Sequence, residues 1–134
     1  SHPGRSFLVG AKPESLIIRL MRDGCEADRI ADMRKAHVTA SLFSMVADLP
    51  LLSLEGGGLH AAREFGEGEA RRDYDRQFAR LRSLIDDGLI RPGLSPEDIR
   101  AAHRDGERVA VLCSEGGDFI EDRLERVAAA HAAG

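Results

Sequence analysis

Two short apolar segments constrain the fold of this chain more than any other feature of its sequence. Residues 38–46 are rich in apolar and β-branched types and end before Asp48 and Pro50, and residues 108–113 are apolar after an initial arginine. Nearly continuous apolar strands are typical of parallel sheets, because other layers of the fold cover both faces of such a sheet. We therefore predict two buried, parallel strands.

Helical patterns separate and flank the two predicted strands. Apolar residues recur at helical spacing in residues 13–22, 26–35 and 69–86. In the third of these segments, the apolar stripe consists of Phe78, Leu81, Leu84 and Ile85. Gly88 follows it and is suited to end the helix.

Two further helix starts are visible later in the chain. Ser95 is a good capping residue and Pro96 suits the first helical position, so we predict a helix that runs to about residue 104. Asp118 is predicted to cap a closing helix. Its inward residues would be Phe119, Ile120, Leu124 and Val127.

The order of these segments predicts an α/β fold. Parallel strands that alternate with helices imply a parallel sheet whose faces are covered by helices, and two strands alone do not make a stable parallel sheet. A (β/α)8 barrel needs about 250 residues, whereas the chain has 134. We therefore predict that residues 1–134 form one partial domain, the N-terminal part of a helix-rich (β/α)8 barrel of the TIM type.

Composition excludes several classes of partner. The net charge is −4, and the arginines are interleaved with acidic residues, as in residues 69–76, so no phosphate-binding stripe and no nucleic-acid partner is expected. No apolar run approaches the roughly 18 residues that cross a bilayer, so no membrane partner is expected. The two cysteines, Cys25 and Cys113, are isolated and form no disulfide framework, which favours a cytoplasmic location.

Glu115 is the best candidate for a catalytic residue. It directly follows the second predicted strand and precedes Gly116 and Gly117. Catalytic groups of α/β proteins gather where strands end, because the backbone there is rigid yet open to solvent. The alternative is that Glu115 is an ordinary polar residue whose charge lies near the positive end of the next helix.

The residues around Glu115 resemble a known family. Residues 109–120, VAVLCSEGGDFI, are similar to the strand that delivers the metal-bridging glutamate in the membrane (renal) dipeptidases, which are zinc metallopeptidases. Residues 94–102, LSPEDIRAA, are similar to the helix entry before that strand. Residues 34–44, RKAHVTASLFS, are similar to the family's turn and second barrel strand. The three segments occur in the family's order and spacing and span most of the chain.

The resemblance implies a zinc-dependent dipeptidase whose metal-bridging hydroxide attacks the peptide bond of a dipeptide. Glu115 would be the catalytic carboxylate that bridges two zinc ions. His2 would be the second member of the family's His-x-His or His-x-Asp pair, although Ser1-His2 is also typical of the residues that a cleaved purification tag leaves. Two zinc ions that share one bridge need about five protein ligands. We therefore expect the isolated chain to be inactive.

The other histidines are weaker candidates, and one other function remains open. His60 lies in the glycine-rich segment 53–68, which we predict to be a loop with a helical turn near His60; the other three histidines are expected at surface positions. The chain would alternatively be a non-enzymatic interaction module that binds another protein through this loop and needs no metal. A third possibility is that a second copy or a complementing chain completes the sheet. Because parallel strands with uncovered edges invite pairing, we predict that the isolated chain self-associates.

Overall fold

The computed structural model describes residues 25–48, 51–53, 58 and 60–134. The predicted helix at residues 13–22 and the candidate ligand His2 lie outside the described residues.

Within this part of the chain, four α-helices and five short strands form a mixed α/β structure. In chain order they are α1 (Cys25–Lys35), β1 (Ala40–Val46), β2 (Leu52–Ser53), β3 (His60–Ala61), α2 (Glu69–Asp86), β4 (Arg91–Pro92), α3 (Pro96–Asp105), β5 (Val109–Glu115) and α4 (Glu125–Ala133). A 3-10 turn, Asp118–Ile120, lies between β5 and α4.

The main sheet has three parallel strands in the order β1-β5-β4. β1 and β5 pair along their whole length, from Ala40 beside Val109 to Val46 beside Glu115. β4 accompanies only the first two residues of β5. The prediction of two parallel strands with intervening helices is therefore confirmed. A separate antiparallel pair, β2 with β3, follows the carboxyl end of β1.

The core lies on one face of the main sheet. Its buried residues are Ile30, Met33, Phe43, Met45, Tyr74, Leu81, Leu84, Ile90, Ala110 and Phe119. The apolar stripe predicted for α2 is confirmed, since Leu81 and Leu84 are buried and Phe78 and Ile85 pack against the same cluster.

Local signals set the helix ends as predicted. α2 begins and ends at the predicted residues, and Gly88 follows it with a φ of +69°. Ser95 caps α3 through a reciprocal capping box, in which its side chain accepts from the Asp98 N–H while the Asp98 carboxylate accepts from the Ser95 N–H. Pro96 is the first residue of that helix.

Two expectations for the loops are wrong. His60 belongs to strand β3 and not to a helical turn, because residues 60–61 pair with β2 and the Ala62 N–H donates to the Leu51 carbonyl. Asp118 starts a 3-10 turn and caps no helix; the chain then takes left-handed φ at Glu121 and Asp122, so α4 begins only at Glu125.

This late start changes which residues face inward. Phe119 is buried and Ile120 is half-buried, as predicted. Leu124 and Val127 are 78% and 48% exposed, which corrects the prediction that they point into the core.

The strand bounds also differ from the sequence pattern. β1 begins at Ala40, because His37 has a left-handed φ of 55° and the Val38 N–H donates to Met33 at the end of α1. β5 continues past the apolar run to Glu115, where it still pairs with β1. In the described ranges, no helix is both long and apolar enough to cross a membrane.

Candidate functional site

Glu115 is the last residue of β5 and lies at the carboxyl end of the parallel sheet. It pairs with Val46, the last residue of β1, and the Ala47 N–H donates to the Glu115 carbonyl oxygen at 3.1 Å. Its side chain is exposed. Among the described residues, the Glu115 carboxylate has no hydrogen-bond or ion-pair partner. The backbone of Glu115 is therefore fixed, while its carboxylate is open to a ligand.

In the described part of the chain, the helices pack against one face of the β1–β5 pair more than against the other. Successive side chains of a strand point to opposite faces, and Phe43, Met45, Ala110 and Leu112 all contribute to the helix-covered core. The opposite face, which we call the open face, carries Leu42, Val111, Cys113 and Glu115. Leu42 is 58% exposed, and Val111 and Cys113 are half-buried. Glu115 thus stands at the end of a partly exposed apolar stripe.

The amino end of this face is closed. Val109 is fully buried there, and a Cβ built on Gly93 would lie 2.3 Å from Val109 Cγ1. Gly93 is therefore required for its backbone to pack this closely on Val109. Above this contact, Leu42 and Glu115 are exposed, whereas Val46, which pairs with Glu115 on the same face, is buried.

Gly116 sets the turn directly after Glu115. Its φ is +101°, and a Cβ there would lie 2.8 Å from Ala47 Cβ and 3.1 Å from Asp118 Oδ2. A side chain at this position would be both strained and in steric conflict with the residue that follows β1. The close approach of the two strand ends thus depends on glycine.

The segment after Gly116 is anchored to α2. The Phe119 ring stacks on Tyr74 with centroids 4.0 Å apart. The Glu121 carboxylate accepts from Arg126 Nη1 at 2.6 Å and from the Arg71 N–H, in the first turn of α2, at 3.3 Å. The hydrogen bond from Arg126 is the main reason that the pKa of the Glu121 carboxyl lies below its usual value, and the bond from the Arg71 N–H acts in the same direction.

Gln77 is the residue that sequence reasoning missed. It is 2% exposed, and its side-chain amide bonds the backbone N–H and C=O of Val46, beside Glu115. The signal was present in the sequence: Tyr74, Gln77, Leu81 and Leu84 recur at spacings of three and four, so a polar residue occupies the buried stripe of α2.

None of the described histidines forms a hydrogen bond or ion pair with Glu115. His103 Nδ1 lies 2.9 Å from Thr39 Oγ1, just before β1 begins. Thr39 and Val46 are seven residues apart, which separates them by roughly 23 Å in an extended strand. His37 also precedes β1, His60 Nδ1 donates to the Gly58 carbonyl, and His131 is exposed on α4.

Glu115 is suited to be one zinc ligand, but the described residues do not form a complete zinc site. A carboxylate at an open strand end has two oxygens, each of which is a suitable zinc donor. Nowhere in the described ranges do three or more His, Cys, Asp or Glu side chains converge on a metal position. The acidic residues of the shallow depression after Gly116 (Asp118, Glu121 and Asp122) form no such group. Further ligands would have to come from residues that the structure does not describe or from another chain.

Neither the models of known protein families nor the curated proteins and solved structures contain a match to this chain.

Proposed function

We propose that this chain is the N-terminal portion of a zinc-dependent dipeptidase with a (β/α)8 barrel, in which Glu115 bridges two zinc ions and His2 ligates one of them. The observation that carries the proposal is the position of Glu115. Its carboxylate, which has no partner among the described residues, stands at the carboxyl end of a parallel strand, on the face opposite the helical core. Active sites of barrel enzymes lie at this end of the strands.

The open face supports the barrel. Parallel strands occur almost always with both faces covered. In the described part of the chain, the helical core covers the face with Phe43 and Leu112, whereas Leu42 on the other face is 58% exposed. In a closed barrel the other face turns inward and packs against the remaining strands. Leu42, Val111 and Cys113 would then be interior residues, and Glu115 would point into the mouth of the barrel.

The free edge of β5 supports the same arrangement. The Gly93 N–H donates to the Ala110 carbonyl, and β4 has ended by this point. Because backbone groups alternate in direction along a strand, Leu112 and Ser114 present theirs on this same edge. The described ranges contain no strand beside them. In a barrel, the next strand would pair there.

The chemistry follows from the carboxylate and its surroundings. Glu115 would help to hold the metal ions, and Gly116 and Gly117 would leave the approach free of side chains. The bound zinc ions would supply an activated water near neutral pH and polarise the scissile carbonyl. The substrate class is a dipeptide, whose small size suits a site at the mouth of a barrel.

The test compares Glu115→Gln with the wild type in the whole protein of which this chain is proposed to be the N-terminal portion. The amide keeps the size of the side chain but cannot bridge two cations. We expect zinc content to fall and hydrolysis of a dipeptide panel to fall by at least about a thousandfold, a loss of about 4 kcal/mol in transition-state stabilisation. Zinc is measured by elemental analysis and hydrolysis by release of free amino acids.

Glu125→Gln is the matched control, because Glu125 is an exposed carboxylate on α4. This variant should keep both zinc and activity. Full activity of Glu115→Gln, or a wild-type protein that holds no zinc and cleaves no dipeptide, would overturn the proposal. In the second case the interaction module becomes the better explanation.

A further inference from the structure

Gln77 is the one polar or charged residue that is buried in the described part of the chain. A buried amide that lacks hydrogen bonds is costly, so its partners show what keeps it there. Gln77 Nε2 donates to the Val46 carbonyl at 2.9 Å and to Asp73 Oδ2 at 2.7 Å. Gln77 Oε1 accepts from the Val46 N–H at 3.0 Å. Both amide hydrogens are therefore used.

Asp73 fixes the orientation of this amide. A carboxylate only accepts hydrogen bonds, so the nitrogen of Gln77 and not its oxygen must face Asp73. Asp73 is itself held by Arg76, whose Nη2 donates to Oδ1 at 2.6 Å. With the nitrogen fixed, the Gln77 oxygen is left to accept from Val46, so the side chain pairs with Val46 as a neighbouring strand would.

The contact between Gln77 and Val46 lies beside the backbone bonds that hold Glu115. Val46 pairs with Glu115, and the next residue, Ala47, donates its N–H to the Glu115 carbonyl. Ala47 also lies against Gly116, where an added Cβ would approach to 2.8 Å. A displacement of the end of β1 would therefore move Glu115 and the turn that follows it.

We infer that Gln77 is a positioning residue for Glu115: it fixes the carboxyl end of β1 and thereby the backbone that carries the carboxylate. It also keeps the site open. The N–H and C=O of Val46 point away from β5 and are both taken by Gln77, so a strand on that side of β1 must end before Val46. The role assigned to Glu115 depends on the proposed function, whereas the contact with Val46 does not.

The first test measures backbone amide hydrogen exchange by NMR in this chain. Gln77→Leu keeps the approximate size but removes both bonds to Val46. We expect the Val46 and Ala47 amides to exchange at least about tenfold faster, beyond the change seen at amides that exchange only by global unfolding. Gln77→Glu should act in the same direction, because its carboxylate cannot donate to the Val46 carbonyl and faces Asp73.

Leu84→Ala is the control for a merely structural effect. Leu84 is 3% exposed on the same helix and does not contact the strand end through a hydrogen bond. It should lower global stability without a selective effect at Val46 and Ala47. Equal protection of these two amides in Gln77→Leu and the wild type, or a loss no larger than the global one, would overturn the inference.

The second test measures zinc affinity in the whole protein by competition with a chelator. Gln77→Leu should weaken zinc binding about tenfold, as loss of a supporting contact does at metal sites, while Leu84→Ala should leave it unchanged. Unchanged affinity in Gln77→Leu would overturn the positioning role. If the wild type binds no zinc, the proposed function fails, and the exchange experiment still decides whether Gln77 fixes the strand end.

Discussion

Glu115 and Gln77 show how single residues define this site. The position of Glu115 followed from the sequence, because an apolar strand that ends before two glycines predicts an exposed group at a strand end. The role of Gln77 did not follow, because its partner Val46 is 31 residues away in the chain. Its place on the buried stripe of α2 signalled that it was unusual, but only the tertiary structure reveals what it bonds.

Gly116 offers a test of the strand-end geometry. Gly116→Ala should lower the free energy of unfolding by about 2 kcal/mol, because it adds backbone strain at a φ of +101° to a contact of 2.8 Å with Ala47 Cβ. Gly106→Ala is the control, since Gly106 has a φ of +71° with no atom near its Cβ position. It should cost about 1 kcal/mol, from the left-handed backbone alone. Urea denaturation measures both, and equal losses would contradict the proposed steric conflict.

At the scale of elements, most features that local sequence signals determine were predicted, whereas the extent of long-range strand pairing was not. α2 has the predicted bounds because its apolar stripe is a local pattern, and α3 has the predicted start because the Ser95 capping box acts within a few residues. β4 was not predicted, since a two-residue strand that includes Pro92 has no periodicity of its own. The length of β5 was also misjudged, because β1 and not the apolar pattern determines where pairing stops. Helix α4 began late because left-handed Glu121 and Asp122 precede it.

The link between Glu121 and α2 predicts a dependence of stability on pH. Because the pKa of Glu121 is lower in the folded chain than its ordinary value of 4.5, its ionised form stabilises the fold above that pH. The stabilisation is lost as the pH falls through the lowered pKa. Glu121→Gln should therefore be less stable than the wild type at pH 7, and the difference should shrink below about pH 4.5.

Urea denaturation at a series of pH values measures this difference. Glu125→Gln, which removes an exposed carboxylate from the next helix, should not reproduce it. A difference between Glu121→Gln and the wild type that stays constant from pH 7 to pH 3 would rule out the charged bonds to Arg126 and Arg71 as its source.

At the scale of the whole molecule, the sheet is asymmetric. Its core face is closed by α1 and α2, whereas the open face presents Leu42, 58% exposed, beside Val111 and Cys113. Exposed apolar surface of this kind is typical of an interface with another part of a protein or with another chain. In the proposed barrel the remaining strands fill that role. The sequence predicted parallel strands with two covered faces, and the described residues cover only one.

A chain that lacks these strands should cover the open face by self-association. We expect sedimentation velocity to show a mass that rises with concentration. Leu42→Lys should suppress this rise, because a charged side chain in the centre of the open face disfavours its burial. Leu124→Lys is the matched control: Leu124 is 78% exposed but precedes α4 and is not part of the sheet. A wild-type chain that stays monomeric, or an equal effect of both substitutions, would show that the open face does not drive association.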